Sequence, residues 1–286
     1  MTLEERYEFD LNGYIVYPEV LSREEVERIN GILSDRTPAT GSGKFAFFEL
    51  DPLFMDLLAR PQLLEILRVL LGNWLRFDHA FGIQMTRTSS IMENLHGGPV
   101  QEQRAFWYHW LPWPVDARPP GQTMHNGLIK VIYALNDVQP EDGGFICVPG
   151  SHKGNIAYRP RFDSHLVVNP TFKAGDALIF TEALVHGSRQ WVSDRTRRVL
   201  IYSYAPGFLA WKNYEFIKHY LKFATTDVQR DLLRPPFVGS YDEHTLRPSG
   251  EWPVERRSKV RIPENNSSKT VEVVPKADGA NRAVQT

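Results

Sequence analysis

The chain has 286 residues, of which 42% are hydrophobic and 12% aromatic, so there is material for one large core or two small ones. Net charge is −1 and excludes a global electrostatic pull toward nucleic acid or membrane. The single cysteine, Cys147, excludes an internal disulfide and points to a reducing, cytoplasmic setting. No apolar run reaches the length of a membrane span, and Met1 to Arg6 is polar, unlike a signal peptide.

In chain order, Asn12-Gly13 is a turn entering a short strand, Tyr14 to Tyr17. Ser22 and Glu25 form a capping-box pattern, and Val26, Ile29, Ile32 and Leu33 follow at helical spacing, which predicts a helix over 22–34. Pro52 to Ala59 and Pro61 to Leu71 read as two further helices, each opened by proline, the second closed by Gly72. From Trp74 the pattern changes to short strands and turns. Leu75 to Thr86, Leu128 to Leu135 and Phe145 to Val148 are strand-like. Residues 99–126 form a long loop region with the aromatic cluster Phe106, Trp107, Tyr108, Trp110 and Trp113, either packing over a barrel mouth or a lid over substrate.

Gly175-Asp176 is a turn before the strand Ala177 to Phe180, which Thr181 to Val185 extend so that His186 stands at its end. A second turn, Ser193 to Thr196, leads into the strand Arg197 to Tyr204. This arrangement places a histidine and an arginine at one mouth of a sheet. Helices are predicted at 210–225 and 227–233, and Pro235-Pro236 stops the second. Helices, then strands, then helices predict a mainly β fold with helical buttresses, and a double-sheet jelly roll is the expected core. We expect a single domain over 1–257, with N-terminal helices at 22–71, a jelly-roll core at 74–208 and C-terminal helices at 210–233. The polar stretch 258–286 is expected to be an extended or disordered tail.

Asn12-Gly13-Tyr14, Asp142-Gly143-Gly144 with Pro149-Gly150-Ser151-His152, and His186-Gly187-Ser188 with Arg197 together resemble the phytanoyl-CoA dioxygenase family over residues 8–208. The resemblance implies a cupin-like double-stranded β-helix, the jelly roll of the family, and an iron(II)- and 2-oxoglutarate-dependent oxygenase that uses O2. It implies His96 and His186 as metal ligands and Arg197, eleven residues after His186, as the partner of the far carboxylate of 2-oxoglutarate. Ser188 adds a hydroxyl beside it, and Gln84 and Tyr133 are further candidates for co-substrate contact.

At Gly98 the sequence departs from the family, whose proximal motif is His-x-Asp where this chain has His96-Gly97-Gly98. Three outcomes compete. Water fills the gap and the enzyme hydroxylates; a carboxylate arrives from elsewhere, with Glu102, Glu93 and Asp142 as candidates; or chloride binds, as in halogenases of the superfamily. A non-catalytic jelly-roll binding protein is a further alternative. The expected partner is a small-molecule substrate, with Arg104, Tyr108, His109, Trp110 and Arg118 as candidate contacts. His152 reads as structural, and Arg198 as pointing away from the site.

Overall fold

The computed structural model describes residues 1–34, 43–88, 95–98, 108–112, 122–156 and 158–237, together with two strands at 261–264 and 267–270. The chain divides into two units, Met1–Gly239 and Ser240–Thr286. The second contributes a short antiparallel pair, Arg261–Glu264 with Ser267–Thr270. The boundary expected at 257/258 lies outside the described residues.

The first unit opens with a helix that periodicity does not announce, α1 (Leu3–Asn12). Its signal is at the ends. Thr2 and Glu5 form a reciprocal capping box, and Gly13, in the left-handed conformation, closes it with its N–H on the Phe9 carbonyl. Strand β1 (Tyr14–Tyr17) and helix α2 (Arg23–Ser34) follow as expected. The Ser22 hydroxyl accepts from the Glu25 N–H, and the Glu25 carboxylate accepts from the Ser22 N–H. Strand β2 (Gly43–Phe45) and helices α3 (Leu53–Leu58) and α4 (Pro61–Leu71) complete the N-terminal part.

The core is a six-stranded antiparallel sheet in the order β1-β8-β6-β10-β3-β2. Its further members are β3 (Arg76–Met85), β6 (Ile129–Ala134), β8 (Ala177–Thr181) and β10 (Arg197–Ala205). A two-stranded sheet, β7 (Gly144–Cys147) with β9 (His186–Arg189), supplies the second layer of the jelly roll. The region 99–126 is not wholly loop. Tyr108–Pro112 (β4) and Gln122–Asn126 (β5) pair antiparallel as a ribbon.

The two faces of the large sheet have different partners, because side chains alternate along each strand. On the outer face Tyr133, Leu200 and Tyr202 pack on the helices. The hydroxyls of Tyr133, Tyr202 and Tyr204 donate to the carbonyls of Leu57, Phe54 and Leu58, at 2.7, 2.9 and 2.9 Å. Tyr133 and Tyr204 thus satisfy the last two carbonyls of α3, which have no acceptor role left within the helix, and Tyr202 adds a tie to its first turn. On the inner face Ile132, Val199, Ile201, Leu178 and Phe180 form a second cluster with Phe145 and Trp191. The C-terminal helix α5 (Tyr214–Lys218) runs into a 3-10 turn, His219–Phe223, and α6 (Asp227–Leu232) follows. The single helix expected over 210–225 is therefore two short pieces. Among the described residues no helix is long and apolar enough to cross a membrane.

Candidate metal and 2-oxoglutarate site

The strand expected to run to Val185 ends at Thr181. The chain turns through Glu182 to Leu184, closed by the Leu184 N–H on the Thr181 carbonyl at 2.9 Å, and His186 begins β9 instead of ending β8. Two neighbouring interactions hold this turn. The Ser151 hydroxyl accepts from the Val185 N–H at 2.8 Å, and the Val148 N–H donates to the Val185 carbonyl at 2.8 Å. The Pro149-Gly150-Ser151 segment is thereby a brace for the residues just before His186.

His96 pairs with His186 across a two-way backbone bridge, each N–H donating to the other's carbonyl at 2.8 Å. Their rings lie with centroids 4.3 Å apart. The Nδ1–H of His186 donates to the Leu184 carbonyl at 2.7 Å. A carbonyl only accepts, so the proton sits on Nδ1 and the lone pair of Nε2 is turned to the site. Facing it is Glu182, with Oε1 3.9 Å from that Nε2. Ligand atoms of His96, Glu182 and His186 all lie within 4.8 Å of one another, the one such group among the described residues. Side-chain adjustments of about an ångström bring all three onto one ion with bonds of about 2.1 Å.

The electrostatics suit a cation. Burial drives the Glu182 carboxyl upward, but Lys130, at 2.8 Å from Oε2, and the two histidines outweigh it and hold the group at about 2. Burial drives the His186 imidazole down to about 3, and the pull of Glu182 offsets this only in part. One carboxylate and a neutral imidazole are therefore in their ligating forms at neutral pH.

Gly97 and Gly98 both have positive φ. A β-carbon at Gly98 would overlap the Ala183 carbonyl oxygen, and one at Gly97 that of Leu184. The absent side chain is thus a steric requirement of the turn that brings Glu182 in. Glu182 is not among the carboxylates that the sequence pattern points to, Glu93, Glu102 and Asp142. Its signal was a lone acidic residue inside the apolar run Ala177 to Val185, four residues before His186. Of the three candidates that were considered, Asp142 pairs with Arg195 at 2.7 Å and is not in the cluster. Glu93 and Glu102 lie outside the described residues.

Arg197 is buried on the inner face of β10, its guanidinium filling the space that a β-carbon at Gly144 would need. Nη1 donates to the Met85 sulfur at 3.2 Å, and Nε has no partner among the described residues. Burial alone lowers it to about 10, and no carboxylate among the described residues pairs with it. A buried guanidinium in this state can take an anion as its partner. Ser188 lies two residues beyond His186 on β9, hence on the same side, half-buried.

Gln84 and Tyr133 are on the other face. Gln84 pairs in register with Arg198 and accepts from its Nε at 2.8 Å, and Tyr133 is committed to Leu57. Neither reaches the face that carries Arg197, because each is displaced by an odd number of residues from an inward position. Tyr108 is tied elsewhere too. Its hydroxyl donates to Asp10, and its ring meets His152 edge-on at 4.7 Å. His152 donates from Nε2 to the Asp10 carbonyl at 3.0 Å, a backbone contact. His109 and Trp110 lie on β4, but their side chains, like Arg104 and Arg118, are outside the described residues.

A family model for phytanoyl-CoA dioxygenase (PhyH) matches residues 32–199, more than half of the chain. No curated protein matches. Among solved structures, HygX from Streptomyces hygroscopicus with iron bound is 25% identical, with a TM-score of 0.60, over 74% of this chain and 90% of that one. HygX with nickel, 2-oxoglutarate and hygromycin B bound is 25% identical, with a TM-score of 0.58 and the same coverage. SnoK, a non-heme alpha ketoglutarate dependent carbocyclase from nogalamycin biosynthesis, is 20% identical over 72% of this chain and 85% of its own, with a TM-score of 0.53, and shares the fold.

Proposed function

The chain belongs to the phytanoyl-CoA dioxygenase family, and from that premise we propose that it is an iron(II)- and 2-oxoglutarate-dependent oxygenase that hydroxylates an unactivated C–H bond of a small molecule. The observation that carries the reading is the group His96, Glu182 and His186, two imidazoles and one carboxylate with ligand atoms within 4.8 Å. That donor set leaves positions open on a ferrous ion for co-substrate and oxygen. When bound, iron(II) with 2-oxoglutarate and O2 supplies the oxidant for the C–H bond and yields CO2 and succinate.

The chain's own residues bind, orient and exclude. His96, Glu182 and His186 hold the ion on one side. Arg197, pre-charged and lacking an acidic partner among the described residues, takes the far carboxylate of 2-oxoglutarate in a bidentate pair, and Ser188 adds a hydroxyl. Phe145 and Phe180, whose rings lie 6.0 and 4.7 Å from His186, keep water from the ligand. Glu182 favours hydroxylation over halogenation, because a carboxylate beside the histidines takes the place a halide needs. The complex of HygX with hygromycin B supports a small molecule as substrate.

Anaerobic loading with iron(II) and 2-oxoglutarate tests the reading. A metal-to-ligand charge-transfer band is expected, lost in His186→Ala. Absence of the band in the unaltered protein, or a His186→Ala variant that binds iron equally well, would sink it.

A further inference from the structure

The inner face of the six-stranded sheet is apolar through its middle, around Ile132, Val199 and Ile201. At the end nearest Glu182 it changes character. Lys130, Ser203 and His79 are consecutive register partners on β6, β10 and β3, and so form one row across the sheet. Phe180 precedes them on β8. Ser203 is fully buried with Oγ 3.1 Å from His79 Nε2, and His79 Nδ1 lies 2.6 Å from Asp78 Oδ1. Asp78 is buried and also pairs with Arg76, at 3.2 Å. The His79 and Lys130 side chains keep 17% and 12% exposure, so the row is reached from outside the core. Within the row Ser203 pairs with His79, His79 with Asp78 and Lys130 with Glu182, so its burial is compensated and what it adds to the wall is charge.

The charge balance says which partner that charge takes. On the proposed reading the site gathers two positive charges from the ferrous ion and one each from Lys130 and Arg197. Against them stand two negative charges of 2-oxoglutarate and one of Glu182. One positive charge is left over, and it is Lys130, which is present because Glu182 needs a partner for its second oxygen. Asp78 does not cancel it, being matched by Arg76. Two further cations stand close by. Lys44 Nζ lies 4.7 Å from the centre of the Phe81 ring, on which His79 stacks, and Lys212 acts on His79 electrostatically.

We propose that the row Lys130–Ser203–His79 is the substrate anchor and that the substrate carries a carboxylate. This inference rests on the oxygenase reading and adds the substrate class to it. The ammonium of Lys130 has three N–H groups and Glu182 does not use them all, and the partly exposed His79 ring, held in place by Ser203, lies in the same row. The surplus of Lys130, with Lys44 and Lys212 close by, favours an anion over its neutral amide, and a carboxylate offers two acceptor oxygens to these donors.

The test uses the full chain loaded anaerobically with iron(II) and excess 2-oxoglutarate, titrated calorimetrically with matched acid and amide pairs, benzoate with benzamide and hexanoate with hexanamide. The acids are expected to bind about tenfold or more tightly than their amides, the worth of one charge-assisted hydrogen bond. Ser203→Ala and His79→Phe, the latter keeping the stack on Phe81, each lower acid affinity by about tenfold and leave the charge-transfer band in place. Equal binding of acid and amide, no acid binding at all, or variants that bind the acids as the unaltered protein does overturns the anchor while the band upholds the oxygenase. A missing band overturns both.

Discussion

The carboxylate of Glu182 faces His186 from four residues upstream, its Oε1 3.9 Å from the histidine's Nε2. The same turn that makes this approach passes so close to Gly98 that no side chain fits there. The bare position at Gly98 and the approach of Glu182 to His186 are thus two sides of one packing arrangement.

If Glu182 is a ligand, Glu182→Gln weakens iron(II) binding by about 100-fold or more, beyond the 10–100-fold typical of a residue that merely supports a ligand. Anaerobic metal titration reads this directly. Affinity within about threefold of the unaltered protein would remove Glu182 from the ligand set.

Restoring the family pattern does not restore a ligand. Gly98→Asp forces a β-carbon into the Ala183 carbonyl at a φ of +51, so it destabilises the fold by about 2–4 kcal/mol. Thermal melting should show the loss, together with weaker metal binding. A stable Gly98→Asp protein that holds iron more tightly would contradict the steric argument.

Arg197→Met separates stability from function. Removing a buried charge that has no acidic partner among the described residues relieves a desolvation penalty, so the melting temperature of the metal-free protein holds or rises. Affinity for 2-oxoglutarate falls by about 100-fold, the loss of a charge-assisted bidentate pair. Titration of 2-oxoglutarate into the iron-loaded variant, followed at the charge-transfer band, gives the second number.

Acid sensitivity follows from two buried imidazoles. Burial, helped by Lys153, lowers His152 to about 4, and burial lowers His186 to about 3, both from an ordinary 6.5. Below pH 6.5 the unfolded chain binds protons that the folded chain refuses. Stability is therefore fully present above that value and is lost as pH falls toward each folded value, at up to about 1.4 kcal/mol per pH unit for each group. Glu182, held at about 2 against 4.5, adds a loss below pH 4.5. Denaturant melts of the metal-free protein between pH 7 and 4 should show the slope, and His152→Gln should make it shallower. A slope unchanged in His152→Gln would exclude that residue as a source.

Local chemistry was legible along the chain. The Ser22–Glu25 capping box, the prolines that open the helical segments near 52 and 61, and the turn before Arg197 each specify their own structure through contacts a few residues apart. So did the inward placement of Arg197 and the outward one of Arg198, which strand alternation decides. What the chain could not disclose by itself was which distant segments meet. Glu182 becomes a candidate ligand only because the Ser151 brace bends the chain after Thr181 and because Gly97 and Gly98 let the turn press against them. Gln84 and Tyr133 face the helices because of their register with β10, a long-range property of the sheet. The row Lys130–Ser203–His79 spans 125 positions of sequence and exists only as hydrogen-bonded register. Sequence alone determined the elements and the histidine and arginine candidates, because those depend on local spacing and on residue chemistry. Tertiary structure decided where the carboxylate comes from and what lies opposite it, because both depend on the closure of one turn against another.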